Sequence, residues 1–89
     1  MGAVGTGADR RDVRAEFTVF PFRESEALPP HARVAVEAAR SAGVNVDVEP
    51  LSNVASGDVE IVLEAVRAAG VAAFAAGATR FAVNVELVP

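Results

Sequence analysis

The stretch Ala15-Glu16-Phe17-Thr18-Val19-Phe20-Pro21-Phe22 narrows the choice of fold more than any other part of this 89-residue chain. It alternates with period 2. Ala15, Phe17 and Val19 point to one side of a strand, while Glu16, Thr18, Phe20 and Phe22 point to the other. Phenylalanine, valine and threonine suit a pleated, half-buried surface. Three of the five phenylalanines fall here, and they are divided between the two sides. One side needs a layer of helix to cover it. The other carries an acid, a hydroxyl and two phenyl rings, so its cover has to be a bound molecule or another subunit.

The rest of the chain supplies the helical layer. Pro29-Pro30 opens a helix, because proline is tolerated in a first turn whose N–H groups have no partner anyway. Leu28, Ala32, Ala35, Val36 and Ala39 form its buried stripe, and Gly43 stops it where a left-handed residue is wanted. Residues 44–49 alternate Val44, Val46 and Val48 against Asn45, Asp47 and Glu49, which reads as a second strand. Pro50 interrupts it, and a short third strand follows around residues 53–56. Asp58 is a good N-cap for a second helix, whose expected stripe is Val62, Val66, Ala69, Ala73 and Phe74, with Leu63 alongside. Gly70 within it costs about 1 kcal/mol against alanine, so close approach to the sheet is the expected reason for it. Residues 80–88 form a last strand, with Phe81, Val83, Val85 and Leu87 inward and Arg80, Ala82, Asn84 and Glu86 outward. The order β-α-β-β-α-β predicts an α+β, ferredoxin-like sandwich: a four-stranded antiparallel sheet with both helices on one face. Residues 1–12, glycine-rich, charged and without period, read as a disordered tail, leaving residues 13–89 as a single domain.

Composition removes several classes of function. There is no cysteine, which excludes disulfides, thiolate metal sites and a cysteine nucleophile. There is no lysine either, so neither Schiff-base chemistry nor a P-loop lysine is available. A formal net charge of -4 argues against nucleic acid, which needs a basic footprint. No segment approaches the ~20 apolar residues needed to cross a bilayer. No metal and no cofactor are expected, and the cytoplasm is the default location. His31 is the single histidine and reads as solvated surface. Glu60 and Glu64 read as a wet helix face, and no nucleophile–base–orienter set is present, so the chain is not expected to be an enzyme.

Attention therefore falls on the sheet face that the helices leave free. Acids outnumber bases there, and phenyl faces attract cations and stack on heterocycles. A flat, positively charged aromatic ligand suits that chemistry. So does a partner sheet, since an exposed aromatic face more often marks an interface than a pocket.

The strand ending in Phe20-Pro21, the helix closed by Ala42-Gly43-Val44, then Glu49-Pro50-Leu51 and Gly57-Asp58 leading into residues 62–66 together resemble the YkoF-like thiamine-binding proteins. The likeness runs from about Ala15 to Leu87 and includes Ala76-Gly77-Ala78-Thr79-Arg80-Phe81. The chain departs from the family pattern at Ala42, Asn53 and Ser56. The resemblance implies binding of thiamine or its hydroxymethylpyrimidine part without catalysis, thiamine being the ligand, in homodimers or homotetramers built by packing sheet faces together. On that reading Phe20 and Phe22 wall the ring and Glu16 or Glu49 offsets its positive charge. Thr18, Asn53 and Asn84 then supply the hydrogen bonds that orient an asymmetric heterocycle. The alternative is a structural or regulatory oligomerisation module with no small-molecule ligand.

Overall fold

A computed structural model describes residues 11–21 and 29–89. Its elements follow the expected order: β1 (Asp12–Phe20), α1 (Pro30–Ser41), β2 (Asn45–Val48), β3 (Asn53–Asp58), α2 (Val59–Ala75) and β4 (Arg80–Leu87). The four strands form one antiparallel sheet in the order β2-β3-β1-β4, so the first strand lies inside it and β2 and β4 form its edges. This is the ferredoxin-like α+β arrangement. Phe22 and Leu28 lie outside the described residues. β1 begins at Asp12, one residue inside the stretch expected to be tail.

The alternation of β1 decides the layering. Val13, Ala15, Phe17 and Val19 are all buried, and they meet Ala32, Ala35, Val36 and Ala39 of α1 and Val62, Ala65, Ala69 and Ala73 of α2 in one core. Both helices therefore pack on the same side of the sheet. Alanine dominates where the two helices face each other, and its short side chain lets their backbones come close. Pro30 sits in the first turn of α1, and Asp58 caps α2 by accepting from the Glu60 N–H at 3.1 Å. Gly43 closes α1 with φ +108, a conformation that side chains disfavour. Gly70 faces Phe81, as close approach to the sheet requires: a Cβ there would stand 3.2 Å from two ring carbons.

Two assignments to the core need correction. Helical periodicity puts Phe74 and Leu63 in or beside the buried stripe of α2, yet both are about half exposed. The stripe is narrower, with Ala65 and Gly70 taking the central positions. For Phe74 the cause lies in β4. Phe81 rises from that strand, packs on Phe17 with ring centres 5.6 Å apart, and occupies the space over Gly70. Phe74 is left to meet Phe81 edge-on at 6.5 Å from the outside. Farther along β4, Val83, Val85 and Leu87 point to the helix side as expected, but neither helix reaches over them and they stay exposed.

Candidate ligand-binding face

The side of the sheet opposite the helices is built by strand register. Glu16 of β1 lies between Val54 of β3 and Asn84 of β4, and Val54 in turn pairs with Asp47 of β2. These four make one row across the sheet. Thr18 pairs with Ala82 in the next row, and Phe20 with Arg80 in the row beyond. Val54 is buried although it stands outside the helix-side core, so an apolar floor lies between two carboxylates.

The short connection from β2 to β3 folds onto this face. The Glu49 N–H donates to the Ser52 carbonyl at 2.8 Å and tightens the turn. The Ser52 hydroxyl donates to Glu16 Oε2 at 3.1 Å, and the Thr18 hydroxyl donates to the Leu51 carbonyl at 3.1 Å. Glu16 and Thr18 are thus held in place, each with one interaction already satisfied inside the chain. Glu16 keeps its second carboxylate oxygen, and the Thr18 oxygen keeps its acceptor lone pairs. Leu51, at the crest of the turn, is 71% exposed. At the other end the Arg80 guanidinium carbon lies 4.6 Å from the centre of the Phe20 ring. That ring presents one of its faces to the chain's own cation.

Of the seven residues expected to contact a ligand, Glu16, Thr18, Phe20 and Asn84 do stand together on this face. Glu49 is exposed at the turn that borders it. Asn53 does not belong to the set. It pairs with Phe17, shares that residue's inward side, is buried, and donates from Nδ2 to the Phe17 carbonyl at 3.3 Å. Alternation counted from the middle of β3 places it there, since Val54 and Ser56 take the outward positions. Phe22, the seventh, lies outside the described residues.

His31 also departs from expectation. It is buried where solvated surface is the sequence-based expectation, and its Nε2 lies 2.7 Å from the Pro21 carbonyl, which accepts the ring N–H. The imidazole ties the start of α1 to the end of β1. Its role is to brace the strand end that carries Phe20. Sequence reading also passes over Ser52, Leu51 and Val54. The signal for them is topological: in this fold β3 neighbours β1, so a tight β2–β3 turn ends beside the middle of β1.

The fold and this free, mixed aromatic and acidic face define a ferredoxin-like α+β domain with one sheet surface uncovered by its own helices. The chain belongs to the thiamine-binding protein family, whose model matches residues 15–87. No functionally curated protein matches it. Solved structures share the fold at low identity. A hypothetical protein from Methanocaldococcus jannascii superposes with a TM-score of 0.66 at 19% identity, over 89% of this chain and 80% of that one. A candidate thiamine biosynthesis/salvage protein from Thermotoga maritima gives 0.63 at 22% identity, over 88% and 83%. A domain of unknown function from Bacillus cereus gives 0.58 at 20% identity, over 94% and 81%. Among the described residues no helix is long and apolar enough to cross a membrane.

Proposed function

We propose that this chain is a non-catalytic domain that binds thiamine, or the aminopyrimidine part of thiamine, on the free face of its sheet. The observation that carries the reading is family membership over residues 15–87 together with the cluster Glu16, Thr18, Phe20 and Asn84 on that face. Thiamine joins a cationic thiazolium to a neutral aminopyrimidine. Glu16, held by Ser52, offers a fixed carboxylate to the cation. Phe20 offers a ring to stack on, and Asn84 offers both a donor and an acceptor to the pyrimidine edge. A shallow face encloses a ligand poorly, since small-molecule sites bury most of their ligand. A homodimer or homotetramer with sheet faces packed together supplies the missing wall. The protein then acts in the cytoplasm as a carrier or sensor of the vitamin, and no cofactor or metal takes part.

One observation favours a second reading, in which the same face is only an interface and the chain an oligomerisation module. Thr18 and Glu16 are already hydrogen-bonded within the chain, and Arg80 covers one side of Phe20. A face so far satisfied by its own groups needs little more than a partner sheet.

Calorimetry with thiamine, hydroxymethylpyrimidine and pyrithiamine separates the two. Heat of binding and a thermal upshift with at least one of them support the ligand reading. No heat and no shift at millimolar ligand refute it and leave the interface reading standing.

A further inference from the structure

β1 carries a cation that the proposed site does not use. Arg14 stands on the helix-free side of that strand, two residues before Glu16, and is half-buried. Register builds a second row of polar groups around it. Arg14 lies between Glu86 of β4 and Ser56 of β3, and Ser56 in turn pairs with Asn45 of β2. Among the described residues no hydrogen bond or ion pair engages the side chains of Arg14, Ser56 or Asn45. The row therefore offers a guanidinium, a hydroxyl and an amide, none of them engaged, on one line across the sheet. A guanidinium is a planar fork of N–H donors that matches a phosphate group bidentately.

We infer that the site takes the phosphate ester of thiamine in preference to the free vitamin, with the phosphate on Arg14, Ser56 and Asn45. This rests on the proposed function and extends it by one subsite. The order of groups along β1 carries the inference. Phe20, Thr18, Glu16 and Arg14 follow one another on the same side of the strand as an aromatic ring, a hydroxyl, an acid and a base. The extended ester presents a matching order: an aminopyrimidine, a cationic thiazolium, a two-carbon arm and a terminal phosphate. Successive residues on one side of a strand stand about 7 Å apart, so a thiazolium lodged at Glu16 brings the end of its arm beside Arg14. From Thr18 to Arg14 the strand runs about 13 Å, comparable with the length of the ester laid along it. Arg80, the other cation on this side, already lies over Phe20 and has no cross-strand hydroxyl or amide beside it. Three carboxylates share this side with Arg14 within one position of it: Asp12, Glu16 and Glu86. Asp12 is exposed at the start of the strand, and Glu16 is held by the Ser52 hydroxyl at Oε2. Glu86 is exposed on the edge strand, where an ion pair is weak. It tempers the affinity for phosphate without closing the subsite.

The test is calorimetry on the 89-residue chain with thiamine, thiamine monophosphate and inorganic phosphate, with circular dichroism to verify that each variant folds. The readout is the ratio of the ester's affinity to that of thiamine, which a change in stability alone does not move. The native chain is expected to bind the ester about tenfold more tightly than thiamine, the scale of charge-assisted hydrogen bonds to one group. Inorganic phosphate is expected to bind far more weakly than the ester. Arg14→Gln removes the charge and should bring the ratio to one or below. Ser56→Ala should lower it by about threefold, the worth of one hydrogen bond. Glu86→Gln removes the competing carboxylate and should raise it by about threefold. An ester bound no more tightly than thiamine overturns the inference and leaves the proposed function standing. So does a ratio that Arg14→Gln leaves unchanged, or inorganic phosphate bound as tightly as the ester. No heat from either thiamine compound refutes the inference and the proposed function together.

Discussion

Arg80 stands over Phe20, its guanidinium carbon 4.6 Å from the ring centre, and the two residues are direct cross-strand partners in the β1–β4 ladder. The aromatic ring best placed to receive a cationic heterocycle therefore already holds a cation of its own. At an exposed site such a contact is worth about 0.5–1 kcal/mol. That is small enough for a stacked ligand ring to displace, and large enough to keep Phe20 in one orientation in the free protein.

Replacing Phe20 by leucine removes the ring but keeps an apolar side chain on the same strand. Loss of the Arg80 contact should cost the fold no more than about 1 kcal/mol. Loss of stacking should weaken thiamine by about tenfold, stacking on an aromatic side chain being worth about 1–3 kcal/mol per base in comparable recognition. Thermal unfolding and calorimetry on the same sample check both numbers.

Glu16→Gln keeps an oxygen for the Ser52 hydroxyl to donate to, at the position now held by Oε2, and removes only the charge. The expected result is a selective loss. Thiamine should bind roughly fivefold more weakly, as for an exposed ion pair of about 1 kcal/mol, while neutral hydroxymethylpyrimidine should bind as before. Equal losses for both ligands would move the cation away from Glu16.

Asn53→Val should behave in the opposite way. The side chain is buried against Phe17 and donates to its carbonyl, so the change removes one hydrogen bond and should cost about 1 kcal/mol in denaturant unfolding. Ligand affinity should not change, because the amide is turned away from the open face.

Gly70→Ala sets two effects against each other. A helix interior gains about 1 kcal/mol from losing glycine. The new Cβ would stand 3.2 Å from two carbons of Phe81, whose ring is wedged between Phe17 and Phe74, and overpacking of that kind costs about 1–3 kcal/mol. Crowding against the ring should outweigh the helical gain, with a net loss of about 1 kcal/mol. In the background of Phe81→Leu the same change should become stabilising, which a double-mutant cycle by denaturant unfolding can read.

Much of this molecule is legible from alternation and punctuation. The period of 2 around Phe17 marks the central strand, Pro30 and Gly43 bound α1, and Asp58 marks the start of α2. Gly70 announces a close contact with the sheet without naming its partner. Phe74 is misplaced because helical periodicity reports which residues could be buried, whereas Phe81 fills the space over Gly70 between α2 and β4. Asn53 is misplaced because the short third strand does not reveal its own phase in sequence; its pairing with the inward-facing Phe17 sets it. His31 is misplaced because a buried imidazole needs a partner, and that partner, the Pro21 carbonyl, is brought to it only by the fold. The Ser52–Glu16 and Arg80–Phe20 contacts join positions 36 and 60 residues apart, which local patterns do not connect.

On the proposed function, the ligand meets the helix-free face of the sheet and no other surface. Backbone amide chemical shifts followed during titration with thiamine report that surface residue by residue. Saturable shifts are expected on Glu16, Thr18, Phe20, Ser52, Asn84 and their neighbours, with α1 and the outer side of α2 unaffected. Absence of shifts at millimolar thiamine, or shifts confined to the helical layer, would contradict it.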